Sequence, residues 1–194
     1  ALNVGGADFL VIYSPDYQYP RRLKTLYSKQ GPVLTELAYA GEKASGRIQY
    51  CLNIQSWRTD DYVRALCRFR VDVLQSLAFS RLAFFQMGAD RYDASKCGRL
   101  ARGSLSGIEE SWIPPSGGNS YSRRGVALPG EQPWLALYET SRPTDPASER
   151  GAIADRGVII REWRSRLGGT DHAMPYYSVY GHPAPWGGFD TSLI

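Results

Sequence analysis

Histidine, cysteine and long apolar runs are scarce in this sequence, and each shortage excludes a class of protein. Only His172 and His182 are present, so catalysis that depends on histidine has few ways to arise. The three cysteines, at positions 51, 67 and 97, include no Cys-x-x-Cys pair, which argues against a zinc site and permits at most one disulfide. No apolar run approaches the roughly 18 residues that cross a bilayer, so we expect no membrane partner.

Lysine is the fourth shortage. Basic residues outnumber acidic ones by 23 to 19, and all of them except Lys24, Lys29, Lys43 and Lys96 are arginines. A positive balance raises nucleic acid as a partner. Arginine enrichment also fits codon bias, or ligands that carry carboxylates or sulfates, which a planar guanidinium binds well. We keep nucleic acid as the least favoured class and predict that it is not the partner.

The length of 194 residues predicts a single domain over residues 1–194. Period-two alternation, typical of strands, is clearest in the N-terminal half, and Cys67, Phe69, Val71 and Val73 alternate with polar residues there. The predicted strands are residues 8–13, 33–39, 46–57, 62–73, 134–138 and 157–163. A hairpin loop is predicted at residues 40–46, because a glycine stands near each end.

Residues 77–88 fit either a strand or part of a helix that begins at Asp60, and we prefer the strand because β-branched and aromatic residues precede it. Long Gly/Pro-rich loops are expected at residues 114–125, 141–151 and 181–189. No helix-period segment separates the strands. The sequence therefore predicts an all-β protein, an antiparallel β-sandwich of the jelly-roll or supersandwich-like kind.

The stretch GRIQYCLNIQSW, residues 46–57, separates into two faces if it is a strand. Ile48, Tyr50, Leu52 and Ile54 form the apolar face. The other face carries Gln49, Asn53, Gln55 and Trp57. An antiparallel neighbour places Arg68 and Arg70 beside those amides.

Amides, guanidinium groups and an indole on one sheet face match the needs of a sugar, whose C–H faces stack and whose hydroxyls form paired hydrogen bonds. We therefore predict a polysaccharide ligand, with an acidic glycan as one possibility. The alternative for the same residues is an ordinary solvated outer face. Loop aromatics also leave open a protein-interaction or assembly domain.

An enzyme is the second alternative, a glycoside hydrolase or a polysaccharide lyase that uses the same face. Hydrolysis needs two carboxyl groups, for which the candidates are Glu109, Glu110, Asp60 and Asp61. Glu109 and Glu110 are adjacent, so on a regular strand they point to opposite faces. A lyase needs a proton acceptor, and Tyr50 has the wrong parity for that role.

Cofactor motifs are absent from the sequence. ADRYDASKCG, residues 89–98, spaces oxygen ligands but lacks the order of a known calcium loop, so calcium is only a minor alternative to no cofactor. The sequence has no phosphate-binding loop, dinucleotide fingerprint or G-x-S-x-G elbow.

FSRLAFFQMGADRY, GIEESW and REWRSRLGG, within residues 79–169, resemble parts of the large antiparallel β-sandwich domains of polysaccharide-degrading enzymes. The resemblance implies a glycan ligand on a sheet face or at the loop ends, and it transfers no catalytic residue. The chain begins ALNVGG, without an initiator methionine or a basic-then-apolar leader, so any signal peptide has been removed or left out; the localisation is left open, with secretion favoured. The oligomeric state is left open.

Overall fold

A computed structural model describes residues 7–14, 18–59, 64–90, 99–113, 120–138, 156–181 and 186–192. Within these ranges the chain forms fifteen strands, one short 3-10 turn at Ala44–Gly46 and no α-helix. The first eight strands are β1 (Ala7–Tyr13), β2 (Arg21–Gln30), β3 (Leu34–Lys43), β4 (Ile48–Trp57), β5 (Arg64–Val73), β6 (Arg81–Asp90), β7 (Arg99–Ser104) and β8 (Gly107–Trp112). The others are β9 (Ser120–Ala127), β10 (Trp134–Tyr138), β11 (Arg156–Ile159), β12 (Ser165–Leu167), β13 (Thr170–His172), β14 (Tyr176–Gly181) and β15 (Trp186–Ser192).

The strands form four antiparallel sheets, which confirms the predicted all-β class. Sheet 1 has the order β1-β6-β15-β14-β9, sheet 2 the order β11-β10-β7-β8, and sheet 3 the order β2-β3-β4-β5. A two-stranded ribbon, β12-β13, turns at Gly168 and Gly169, whose φ angles of 59° and 82° suit a tight hairpin. No helix in the described part of the chain has the length and apolarity to cross a membrane.

The chain divides into two compact units, one made of Ala1–Val11 and Leu82–Ile194 and the other of Ile12–Arg81. Unit 1 contains sheet 2, the ribbon and nearly all of sheet 1, whereas unit 2 contains sheet 3. The single domain expected over residues 1–194 stays a prediction, because compactness alone does not show that either unit folds independently.

Sheets 1 and 2 share the hydrophobic core of unit 1. Alternate residues of β14 and β10 point inward, as the two-residue repeat of a strand requires. The buried cluster consists of Leu100, Leu128, Leu135, Leu137, Tyr177 and Val179. Because side chains from both sheets meet in one cluster, unit 1 is an antiparallel β-sandwich. The sandwich class is thus confirmed, while a jelly-roll or supersandwich topology stays a prediction.

Sheet 3 is a meander in which each strand pairs with the next along the chain. β4 lies in the interior and pairs with both β3 and β5 over all ten residues, without a register shift. The predicted strand over residues 46–57 is confirmed as Ile48–Trp57. The helix alternative for residues 60–87 is wrong where the structure describes them, because β5 and β6 are strands.

The hairpin loop expected at residues 40–46 is shorter than predicted. β3 continues to Lys43, and only Ala44–Gly46 turn. Gly41 stays in the strand because the Tyr50 ring of the neighbouring strand covers it: a Cβ atom at Gly41 would lie 2.7 Å from the Tyr50 hydroxyl oxygen. The glycine here accommodates a tyrosine and does not mark the end of the strand.

Two of the expected long loops are also partly wrong. β9 begins at residue 120 and β15 begins at residue 186, inside the loops expected at 114–125 and 181–189. Both strands pair with β14, whose backbone supplies the hydrogen bonds that hold Gly-rich and Arg-rich segments extended. Residues 114–119, 141–151 and 182–185 lie outside the described residues.

Candidate functional site

The strand register of sheet 3 places the predicted binding residues on one face. Residues directly opposite one another share a face, and Asn53 is opposite Arg68 while Cys51 is opposite Arg70. Gln49, Gln55 and Trp57 follow by the two-residue repeat. We call this side of sheet 3 the amide face; it consists of Gln49, Asn53, Gln55, Trp57, Arg68 and Arg70 with the residues opposite them on β2, β3 and β5. The predicted juxtaposition of guanidinium groups and amides is therefore present.

The opposite side of sheet 3 is apolar. Ile48 and Leu52 are buried, with exposures of 3% and 8%. Tyr50 stacks at a tilt against Phe69 of β5, with ring centroids 6.2 Å apart. Burial raises the pKa of the Tyr50 hydroxyl, which keeps it protonated at neutral pH and so unable to accept a proton. The separation into two faces agrees with the sequence pattern.

Two of the predicted amides already have partners on the amide face. The Asn53 amide donates a hydrogen bond to the Tyr27 hydroxyl of β2. The Gln55 amide donates one to Glu36 of β3 at 2.5 Å. Sequence reasoning named neither partner. Such bonds fix the orientation of each amide and leave its carbonyl oxygen as an acceptor for a ligand.

Unlike Asn53 and Gln55, three exposed side chains of the amide face have no hydrogen-bond or ring partner among the described residues. They are Gln49, Arg68 and Trp57. The indole of Trp57 remains 38% exposed at the end of β4. The polar groups of Gln49 and Arg68 and the exposed part of the Trp57 ring are therefore available to a ligand.

Cationic side chains follow both outer strands of sheet 3. Lys24 and Lys29 lie on β2, opposite Ala40 and Glu36. On β5, the Arg70 guanidinium contacts Asp72 at 3.0 Å, and Arg68 stands beside it. Glu42 pairs with Arg22 at 3.4 Å. Cations outnumber carboxylates on the amide face, so its charge is net positive.

The amide face contains a depression of about 380 Å³ at the Gln49 end of β4. Its lining combines charged and polar residues with Ala40, Gly41 and Tyr50; the former are Arg22, Lys24, Glu42, Gln49, Cys51 and Asp72. A second depression, of about 250 Å³, lies at the Trp57 end and is lined by Pro32, Val33, Trp57 and Arg58 with their neighbours. The two depressions therefore lie at opposite ends of β4.

The carboxylate candidates do not form a pair on the amide face. Glu110 belongs to β8 of unit 1, where the Arg123 guanidinium donates two hydrogen bonds to it, at 2.5 and 2.7 Å. Arg102 adds a third at 3.2 Å. Hydrogen bonding to Arg123, followed by the charges of Arg123 and Arg102, lowers the pKa of Glu110 despite some desolvation. A lowered pKa is opposite to what a general acid requires.

Glu110 has a structural explanation. It lies on β8, the edge strand of sheet 2, and Arg123 lies on β9, the edge strand of sheet 1. The Arg123 guanidinium also lies over the Trp112 ring, 3.8 Å from its centroid, and donates to the Tyr177 hydroxyl at 3.0 Å. The ion pair thus joins the two sheets along one side of the sandwich.

Glu109 is exposed and lies at an irregularity of β8, where the register shifts between Arg102 and Gly103. The simple alternation expected for Glu109 and Glu110 is therefore interrupted by a β-bulge. Asp60 and Asp61 lie outside the described residues, as does Asp93 of the calcium alternative. No pair for glycoside hydrolysis is assembled by the carboxylates whose positions are described.

No group of three or more histidine, cysteine or acidic residues in the described ranges is placed to hold a metal ion. Cys51 and Cys67 are free thiols, and Cys97 lies outside the described ranges. Cys51 lies on the amide face and Cys67 on the apolar face, so they are on opposite sides of sheet 3. The absence of a cofactor stays a prediction.

Comparisons with known proteins add no family to this description. No protein-family model matches the chain, and neither the curated proteins nor the solved structures provide a match. The resemblance to domains of polysaccharide-degrading enzymes accordingly stays a prediction, and function has to be argued from the amide face itself.

Proposed function

We propose that this protein binds a polysaccharide through the amide face of sheet 3. The observation that carries the proposal is the set of Gln49, Arg68 and Trp57, which are exposed on one face and have no partner among the described residues. A solvated outer face needs neither an open indole nor oriented amides. Both are the groups that a sugar ring engages.

Each part of the face supplies one element of sugar recognition. The flat Trp57 ring offers an apolar surface to the C–H face of a pyranose, and Gln49 offers both a donor and an acceptor to neighbouring hydroxyls. Tyr27 and Glu36 hold Asn53 and Gln55 in place, which reduces the entropy lost when a ligand binds.

The charge of the face favours an acidic glycan. Arg68 is exposed without a described partner, and Arg70 donates from two of its nitrogens to one oxygen of Asp72 while its side chain remains 78% exposed. A guanidinium binds a carboxylate or sulfate through two parallel hydrogen bonds, which an uncharged hydroxyl cannot match in strength. An acidic polysaccharide should therefore bind more tightly than a neutral one.

Binding without cleavage is favoured over hydrolysis. The carboxylates of the amide face already have partners, Glu36 with Gln55, Glu42 with Arg22, and Asp72 with Arg70. Glu110 is engaged by two arginines in unit 1. For a lyase, Tyr50 lies on the apolar face, as its parity predicts. Glycoside hydrolase and polysaccharide lyase activity remain the alternatives that a product assay decides.

The experiment compares Trp57→Ala with Phe79→Ala on a panel of neutral and acidic polysaccharides by affinity electrophoresis. Phe79 is the matched control, because it is an aromatic residue of unit 2 with 40% exposure that lies outside sheet 3. Loss of the stacked ring should weaken binding about tenfold in Trp57→Ala, and Phe79→Ala should bind as the wild type does.

Three results would oppose the proposal. Binding to no member of the panel would remove the glycan ligand, and equal losses in both variants would remove the amide face as its site. New reducing ends or unsaturated uronates in the incubated samples would show that the protein is an enzyme and does not only bind the polysaccharide. A stable oligomer without any glycan affinity would favour an assembly domain.

A further inference from the structure

The amide face has the shape of a trough that runs along the strands. Its floor carries the small side chains Ala40 and Cys51, and near the middle the Tyr27 side chain crosses from β2 to Asn53 of β4 over Ala38, which is only 3% exposed. Long side chains stand on the outer strands, Lys24 on β2 and Arg68 on β5. Four adjacent strands place β2 and β5 about 14 Å apart, so a single polymer chain fits between the two rows and passes over the Tyr27 side chain near the middle.

A depression lies near each end of the trough, and each is lined by residues of both faces of sheet 3. Gln49 lines one of them and Trp57 lines the other. Eight residues of extended strand separate these two side chains, a distance of about 26 Å. That distance exceeds one sugar ring several times, so no small saccharide reaches both depressions at once.

Cations are spaced along the trough, on both of its sides and at both depressions, Arg58 lining the one at the Trp57 end, and they match a repeating negative charge. Lys24 has no partner among the described residues and lies at the Gln49 end, whereas Arg68 lies opposite Asn53 towards the middle. Each contact of this kind alone adds only a modest amount to the binding free energy. Their sum becomes large only when one ligand touches several of them together.

From this geometry we infer that the ligand is an anionic polysaccharide chain that lies lengthwise along β4, with contacts at both the Gln49 and the Trp57 depressions. The inference rests on the proposed function and adds the orientation, the minimum length and the charge of the ligand. A chain end or a monosaccharide held at one depression is the arrangement that it excludes.

Single-stranded nucleic acid also carries a repeating negative charge, and the face is poorly suited to it. Sequence-tolerant binding of single strands depends on successive bases stacking on several aromatic rings. On the amide face the exposed rings are Trp57 and Tyr27, and the Lys29 ammonium group lies 5.7 Å from the Tyr27 ring centroid. Two separate, partly covered rings among the described residues of this face support a sugar contact better than a run of stacked bases.

The test measures affinity against chain length by calorimetric titration with a ladder of size-fractionated oligouronates, from the dimer upward. Affinity should rise with length until the chain covers about 26 Å and should then level off. Over that range the affinity should rise about tenfold or more, because the longer chain adds at least one charge-assisted hydrogen bond. Gln49→Ala and Trp57→Ala should each weaken the longest oligomer, and a dimer should respond to at most one of them.

The result that overturns the lengthwise arrangement is a dimer that binds as tightly as the longest oligomer, or a long oligomer that responds to only one of the two variants. Either leaves the proposed function intact, because a glycan still binds. Failure of every oligomer and of the parent polymer removes both proposals. Trp57-dependent binding of oligothymidylate, with no oligouronate binding, also overturns the inference in favour of nucleic acid.

Discussion

Leu52 and Arg68 lie on opposite faces of sheet 3, so replacing each with alanine separates stability from ligand affinity. Leu52 is 8% exposed and lies between Tyr39 of β3 and Phe69 of β5. Large-to-small changes at buried leucines cost about 2–5 kcal/mol. We expect about 2–3 kcal/mol for Leu52→Ala, because Tyr39 and Phe69 are half-buried and have room to close around the gap.

Arg68→Ala should have the reverse effect. Arg68 is exposed and has no partner among the described residues, so its loss should change the free energy of unfolding by less than about 0.5 kcal/mol. It should weaken binding of an acidic polysaccharide about tenfold or more, the value of one charge-assisted hydrogen bond. Arg166→Ala makes the same charge change in unit 1, on an arginine side chain that is 73% exposed, and serves as the control.

Urea denaturation followed by tryptophan fluorescence measures the stability of each variant, and calorimetric titration measures its affinity. With a typical slope of about 1–3 kcal/mol per molar urea, Leu52→Ala should lower the midpoint by about 1 M. The reasoning is refuted if Arg68→Ala destabilises as much as Leu52→Ala does. It is also refuted if folded Leu52→Ala loses glycan affinity while Arg68→Ala retains it.

Two further predictions concern the sandwich of unit 1. A Cβ atom at Gly103 would lie 2.2 Å from the Gly107 carbonyl oxygen and 2.5 Å from the Trp134 ring. Gly103→Ala should therefore lower the free energy of unfolding by about 1–3 kcal/mol. An unchanged melting temperature would contradict this prediction. The pKa of Glu110 is lowered in the folded protein, mainly by Arg123, so its stabilisation is present above the unfolded value of about 4.3 and is lost as the pH falls through the folded pKa. Glu110→Gln should therefore reduce stability by about 1 kcal/mol near neutral pH and by less in acid, and a difference that grows in acid would contradict the ion-pair account.

The strands that the sequence predicts well are those with one buried face. In β4, apolar residues recur at every second position because one side of the strand is covered, and Ile48 and Leu52 are buried there. In β5 the same side is only partly covered, since Phe69 and Val71 are half-buried and Cys67 and Val73 are exposed. The two faces, and with them the candidate site, follow directly from the alternation.

β2 shows why the hydrogen-bond partner of Asn53 on the amide face could not be predicted from the sequence. All ten of its residues are exposed, so RRLKTLYSKQ carries no burial pattern to detect. Its pairing with β3 also contains two irregularities, which prevent the β2 residue opposite Ala38, the β3 neighbour of Asn53, from being deduced by counting. The bond from Asn53 to Tyr27 joins residues 26 positions apart and depends on that register.

Glu110 illustrates the same limit in unit 1. From the sequence it is one carboxylate among several near many arginines. Its partner Arg123 lies on a segment expected to be a loop, and only the pairing of β9 with β14 brings the two together across the sandwich. Contacts between sheets depend on topology, which local periodicity does not encode.

The most direct test of the account is a nitrogen-edited NMR titration of the folded protein with an acidic oligosaccharide. The side-chain amide of Gln49 and the indole N–H of Trp57 should shift together with backbone amides of β4 and β5. The indole N–H of Trp134, which donates to the Ser104 carbonyl at 3.1 Å in unit 1, should stay in place. Shifts at Trp134 without any at Gln49 or Trp57 would contradict the central claim that sheet 3 presents its amide face to a sugar.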